Sequence, residues 1–346
     1  MAVDELGFAI VGAGMIAHKH AAAIAQTPGA RLVAVSRSDP ARCRDAETQF
    51  GVPCETDYHA LLARPDVAAV CICTPSGMHA EQAIAAARAG KHVLVEKPMA
   101  LTLADADAMI AACDDAGVQL AVAFQRRTSP GFDAIPAAIA AGELGRLSLG
   151  SVTLPYYRPQ SYYDSAAWRG TWALDGGGAL MNQGIHLVDL LLWFMGDVAE
   201  VQAASATLSH TIEVEDCVAA TMRFVHGALG SVVATTAAAP GFPHRVEVYG
   251  DGGSVQIEGD RIVRWEGGGK DRAPVVSPRD AATAGAGADP AAIGGKAHAR
   301  LVVDLVAAIR EGRPPLVSGL EGRRSLALVL AIYEAARSGG IVRLCS

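Results

Sequence analysis

Short apolar blocks alternate with Ala-rich stretches along residues 1–125. The blocks are LGFAIV (6–11), RLVAVS (31–36), VAAVCIC (67–73), HVLVE (92–96) and QLAVAF (119–124). Stretches between them, such as LADADAMIAACDDAG, carry apolar residues at helical spacing. Strands alternating with helices of this length need crossover connections, which predicts a parallel sheet covered by helices. The blocks are almost continuously apolar, as suits strands buried on both faces. The pattern then changes. Residues 146–157 read as a strand and 178–195 as one long apolar helix. From 198 to 265 strands follow in quick succession: EVQAASATL, DCVAATMRF, GSVVATTAA, HRVEVYG, GSVQIEG and RIVRWEG. Turn signals such as His226-Gly227 and GDGGS (250–254) separate them, predicting an open, mostly antiparallel sheet. The Gly-, Ala- and Pro-rich residues 266–295 predict a mobile loop, and helices over 296–311 and 321–338 end the pattern. The fold class is therefore α/β followed by α+β. A doubly wound parallel-sheet domain is expected over 1–125. A second domain with covering helices is expected over 126–346, its last helices packing back on the first.

Composition narrows the function. A chain of 346 residues has room for two domains, and 51% hydrophobic with 19% charged residues is a globular balance. The formal charge of −7, from 29 basic and 36 acidic residues, argues against a nucleic-acid face. No run approaches the roughly 18 apolar residues of a membrane span. Asp4 and Glu5 stand where a secretory signal needs positive charge, so the expected location is cytoplasmic. Seven cysteines show no disulfide framework and no CxxC pair. Cys71 and Cys73 alternate on one side of a strand and read as packing residues.

The first block runs into IVGAGMIAHKH, a G-x-G-x-x-A turn at Gly12, Gly14 and Ala17 that opens a helix through Met15 and Ile16. Small residues there admit a pyrophosphate to the helix N-terminus, the signature of a Rossmann dinucleotide site. An acidic residue ending the second strand would select NAD. Here Ser36 and Arg37 occupy that place, which favours the 2′-phosphate of NADP over NAD. Asp39, before Pro40, reads as a helix cap. His18 and His20 form an H-x-H with no third ligand evident, so no metal is expected.

Three strings now combine. TPSGMH (74–79), EKPMA (96–100) and GGGALMNQGIHLVDLL (176–191), behind the Gly-rich turn, resemble the glucose–fructose oxidoreductase / inositol dehydrogenase / MocA family over essentially the whole chain. RPQSYYDSAAWRGTW (158–172), MNQ…H and IEVED (212–216) are similar to the branch that oxidises C3 of UDP-N-acetylglucosaminuronate. The resemblance implies cofactor contacts at Thr74, Pro75, His79, Glu96 and Lys97. Gln125, Trp168 and Arg169 are further cofactor candidates. It implies that Lys97 and His186 are catalytic, and that both also touch substrate.

The residues themselves support this. Lys97 ends a strand, where ligands gather in open α/β sheets, and Pro98 stiffens the backbone behind it. A partly desolvated amine can trade a proton with a substrate hydroxyl. Asn182, His186 and Asp189 share one helix face at i, i+4 and i+7, with Asp189 placed to orient the histidine. Inositol dehydrogenase-like members of the family carry Asp where this chain has Asn182. The proton chemistry then falls to Lys97 and His186. Arg126, Arg158, Tyr162 and Tyr163 are candidate substrate contacts, an arginine suiting a carboxylate or phosphate; Arg127 reads as structural.

The expected function is hydride transfer between nicotinamide C4 and a secondary ring hydroxyl, C3 favoured, of a sugar, sugar acid or sugar nucleotide. A cyclitol dehydrogenase and a catalytically silent sensor are the alternatives. Ser231, Val233, Thr235 and Ala237, small and on one side of a strand, suit a homodimer or homotetramer formed through the second sheet.

Overall fold

The computed structural model describes residues 5–267 and 296–344. The loop expected over 266–295 therefore lies, from residue 268 on, outside the described residues. Contacts divide the chain into two compact units. One runs up to Gln125 and takes in the stretch ending at Arg323; the other begins at Arg126 and takes in everything from Arg324.

The first unit alternates strands and helices: β1 (Leu6–Val11), α1 (Met15–Ala25), β2 (Ala30–Ser36), α2 (Pro40–Phe50), β3 (Cys54–Glu55), α3 (Tyr58–Ala63), β4 (Ala69–Ile72), α4 (His79–Arg88), β5 (His92–Val95), α5 (Leu103–Asp115) and β6 (Leu120–Val122). The six strands form a parallel sheet in the order β3-β2-β1-β4-β5-β6. Local chemistry sets the helix starts. Asp39 accepts the Ala41 N–H at 3.0 Å with Pro40 at the first helical position, the cap read from sequence. Thr102 caps α5 through the Asp105 N–H in the same way. Every residue of β4 is buried, so its apolar run is explained by cover on both faces. The sequence pattern did not register β3 and α3, which are too short for a periodic signal. A disulfide joins Cys43 of α2 to Cys54 of β3, which corrects the expectation that no cysteines pair. Cys71 and Cys73 are buried and free, as packing residues should be.

The second unit contains α6 (Ala134–Ala140), β7 (Leu147–Pro155), α7 (Gln160–Asp164), α8 (Ile185–Met195), β8 (Val198–Ala206), β9 (Cys217–Phe224), β10 (Leu229–Thr235), β11 (Arg245–Gly250), β12 (Gly253–Glu258) and β13 (Arg261–Gly267). Late in the chain come α9 (Lys296–Glu311), which belongs to the first unit, α10 (Gly319–Ser338), and β14 (Val342–Arg343). The eight-stranded sheet runs β13-β12-β11-β7-β10-β9-β8-β14 and is antiparallel except for the β7–β10 pair. Its strands alternate. In β9, Val218, Ala220, Met222 and Phe224 are buried while Ala219, Thr221 and Arg223 are exposed. Helix α8 covers the buried face against β7 and β11.

The helix expected over 178–195 is two pieces. Residues Ala179–Gly184 form a π-helical turn that runs into α8. Such turns widen the backbone spiral and recur at functional sites. Among the described residues no helix is long and apolar enough to cross a membrane.

Candidate active site

In the first unit the glycine turn between β1 and α1 is built from backbone. Gly12 has φ +93°, and a Cβ there would sit 2.9 Å from the Cys73 carbonyl group and the Thr74 methyl. Only glycine fits. Gly14 is different: its φ is −90°, and no described atom lies within 4 Å of where its Cβ would be. The fold does not need glycine there, whereas a ligand approaching the N–H groups of α1 would. Gly14 is the N-cap and brings no side-chain bond, so these donors remain available to an anion. Met15 is 67% exposed beside them, with Ile16 half-buried. Ala17 is fully buried, closing the helix onto the sheet.

Ser36 ends β2, and its carbonyl accepts the Gly12 N–H at 3.0 Å. Arg37 donates from Nη1 to the Ala13 carbonyl at 3.1 Å, laying its guanidinium along the glycine turn. β2 ends on Ser36, with Arg37 next in the chain and Glu55 of β3 in register beside Ser36. Thr74 and Pro75 are half-buried after β4. His79 is 1% exposed, with Nδ1 2.8 Å from the Pro98 oxygen and Nε2 2.9 Å from the Thr74 oxygen. It braces the loops after β4 and β5 against each other. Burial lowers its pKa, against the pull of the two carbonyls.

Glu96 also turns inward. Its Oε1 lies 2.8 Å from His20 Nε2, and its Oε2 accepts the Lys97 N–H at 3.3 Å. Burial opposes its charge, but the bond to His20 prevails and holds the carboxyl at about 2. His20 is driven the other way. Burial lowers its pKa, yet its neighbours Cys73, Cys71 and Glu96 carry it well above 6.5. Burial pushes the Cys73 thiol up to about 11, so it is neutral at pH 7, and the charge that keeps the His20 proton is Glu96's. Lys97 follows at the C-terminal end of β5, half-buried, with a cis peptide bond to Pro98. Gln125 is 5% exposed just past β6.

In the second unit the polar groups form side-chain networks. His186 sits in the first turn of α8, 6% exposed, immediately after the π-helical turn. Three glycines precede that turn, and Gly177 and Gly178 are there for packing reasons. A Cβ at Gly178 would overlap the Glu215 carbonyl oxygen at 1.8 Å. Glu215 accepts the Gly178 and Leu180 N–H groups at 2.9 and 2.8 Å and the Tyr333 hydroxyl at 2.9 Å. Glu215 lies within IEVED (212–216), and nothing in that string marks it as this anchor. Burial raises its pKa, and these three donors oppose the rise.

Asp189, expected to orient His186, turns its carboxylate to Arg127 and Ser325. Arg127 Nε and Nη2 each donate at 2.8 Å, and the Ser325 hydroxyl donates at 3.0 Å. Arg127 is accordingly structural. Asn182 donates to Asp175 and accepts from Gln183 at 2.9 Å. Gln183, which sequence reasoning passed over, also accepts from Arg158 at 3.1 Å and donates to Tyr162 at 3.3 Å.

Arg158 is 1% exposed, its guanidinium held by the Tyr157 carbonyl at 2.8 Å and stacked over Tyr156 and Tyr162. Arg126 is 6% exposed and paired with Asp260, His244 and Tyr156. Both guanidinium groups already have partners within the second unit. The Tyr163 hydroxyl meets Thr236 at 2.8 Å. Arg169 is half-buried between the Trp168 and Tyr162 rings, 4.7 and 4.3 Å from their centroids, so it is preorganised yet reachable.

A glycine turn feeding a helix N-terminus, with a strand-end lysine in the same sheet, defines an NAD-binding oxidoreductase. The comparisons agree. Residues 6–124 match the oxidoreductase family with an NAD-binding Rossmann fold, and residues 132–256 match the GFO/IDH/MocA C-terminal domain. The chain belongs to the Gfo/Idh/MocA family and is an enzyme of the dehydrogenase type. It is 31% identical to D-apiose dehydrogenase of Paraburkholderia graminis over 98% of this chain and 89% of that one. It is 29% identical to inositol 2-dehydrogenase of Rhizobium meliloti over 95% and 96%. Among solved structures it resembles the WlbA dehydrogenase from Bordetella pertussis in complex with NADH and UDP-GlcNAcA. That match has a TM-score of 0.87, 36% identity and 99% coverage of both chains.

Proposed function

We propose that the enzyme oxidises a secondary ring alcohol of a sugar nucleotide or sugar acid, with C3 as the reacting carbon. A hydride leaves the ring carbon for nicotinamide C4. The hydroxyl proton leaves for Lys97 or His186, and the carbon becomes a ketone. The reverse direction uses the same groups as acids. The first unit binds the dinucleotide through Gly12, Gly14 and the open N–H groups of α1. The second unit binds the substrate, with Asn182 positioning a hydroxyl. The observation that carries this reading is the end-to-end likeness to WlbA together with Arg169, the half-buried guanidinium in the RPQSYYDSAAWRGTW string. A carboxylate- or phosphate-bearing substrate suits such a cation.

Cofactor choice rests on Ser36 and Arg37. A serine and a guanidinium favour NADP; the NADH bound in WlbA favours NAD. A cyclitol substrate is the second reading, favoured by the inositol 2-dehydrogenase relative and opposed by Asn182. Leu229 and Val233, 50% and 41% exposed on the open face of β10 with Ser231 and Thr235, supply a face for self-association, which light scattering tests. Turnover assays with a UDP-sugar acid, myo-inositol and free D-apiose, each with NAD and NADP, test the substrate class. Turnover confined to inositol overturns the sugar-nucleotide reading.

A further inference from the structure

Three buried side chains of the first unit have no part in the chemistry above. His20 of α1, Glu96 at the end of β5 and His298 of α9 are 0%, 8% and 1% exposed. One donor atom from each lies within 4.8 Å of the other two. His20 Nε2 is 2.8 Å and His298 Nε2 3.9 Å from the same Glu96 oxygen, Oε1, and the two imidazoles meet edge-on at 5.3 Å between centroids. Neither nitrogen of His298 has a hydrogen-bond partner among the described residues. A buried polar atom left without a partner is destabilising, so a fold that places His298 here without one would carry that penalty. The imidazole is aimed at the carboxylate, at a range too long for a hydrogen bond and too short for indifference.

We propose that His20, Glu96 and His298 form a binding site for a divalent transition-metal ion of the zinc class, fastening α9 to α1 and to the strand end that carries Lys97. Ligands about 2.0–2.1 Å from a tetrahedral zinc lie roughly 3.4 Å apart. The observed 2.8 and 3.9 Å separations bracket that value, so small side-chain rotations suffice. Two imidazoles and one carboxylate select zinc, cobalt or nickel over magnesium or calcium. A water molecule would complete the tetrahedron. On binding, the metal takes the Nε2 lone pair of His20 and of His298. The proton shared between His20 and Glu96 leaves to solvent.

The probe is Co²⁺ added to full-length protein freed of metal with a chelator. One equivalent should produce the visible d–d absorption of a tetrahedral site, and Zn²⁺ should abolish it and raise Tm by several degrees. His298→Ala should weaken binding by at least the roughly 10–100-fold that loss of an outer-shell partner costs elsewhere. His298→Gln, which keeps much of the bulk, should do the same if the alanine variant folds poorly. His18→Ala, on the exposed side of the H-x-H pair, should leave Co²⁺ binding intact. Absence of the absorption and of any Zn²⁺ effect on wild-type Tm overturns the proposal. So does undiminished Co²⁺ binding by a folded His298 variant, or loss of it in the His18 variant.

Discussion

The two units hold their functional groups by different means. In the first, the candidate dinucleotide site is made of backbone: a left-handed glycine, the open N–H groups of α1, and the bare approach at Gly14. In the second, buried polar groups are held by side chains paired over long sequence distances: Arg127 with Asp189, Arg126 with Asp260 and His244, Glu215 with Tyr333. Backbone sites depend on local geometry and fail locally. Side-chain networks are cooperative, and breaking one member strands a buried charge.

The sharpest way to break this comparison is in the second unit. Arg127→Met takes the two-pronged guanidinium away from Asp189, which is 0% exposed and keeps the Ser325 hydroxyl, and should cost about 3–5 kcal/mol in urea unfolding. Asp189→Leu in the same chain should restore much of that loss, whereas equal losses in single and double variants would show that the pair is not the cause. In the first unit the matching experiment separates two glycines. Gly12→Ala should lower stability by about 1–3 kcal/mol and abolish dinucleotide binding, since φ +93° and the Cys73 contact both oppose a side chain. Gly14→Ala should stay within about 1 kcal/mol of wild-type stability while binding the dinucleotide at least tenfold more weakly. Equal damage from both would remove the distinction.

Smaller effects follow. Burial, and then the adjacent Arg126 charge, hold the His244 pKa well below 6.5, so the folded ring is neutral while the unfolded one takes a proton. The unfolded state then binds more protons below pH 6.5. Stability is full above that value and falls as the pH drops toward the folded pKa, by up to about 1.4 kcal/mol per pH unit. His244→Asn should flatten that slope in denaturation series at successive pH values. Least of all, Ser36→Asp should move preference from NADP toward NAD by about tenfold, read as a ratio of kcat/KM. An unchanged ratio would free β2 of that role.

Legibility followed the same division. Strand β1 matches its apolar block residue for residue, and the Asp39 cap, the glycine turn and the last two helices were readable because each depends on neighbours in sequence. The Cys43–Cys54 bond, β14 and the partners of Arg126 and Arg158 were not. Those two arginines look like anion ligands in a string of letters, and only the fold puts Asp260, Gln183 and the tyrosine rings against them. His298 was silent for the same reason, since 278 residues separate it from His20. The π-helical turn left no periodic mark, so the i, i+4 argument for Asn182 and His186 assumed a regular helix that begins only at Ile185.

The most direct test is the absorbance of reduced nicotinamide in single turnovers with a UDP-sugar acid, recorded for wild type, Lys97→Met and His186→Asn. Dinucleotide affinity is measured in parallel by nicotinamide fluorescence. Each variant should transfer hydride about 10²–10⁴-fold more slowly while binding the dinucleotide within a few-fold of wild type. Wild-type transfer rates in both variants would contradict the assignment of the proton to this amine and this imidazole.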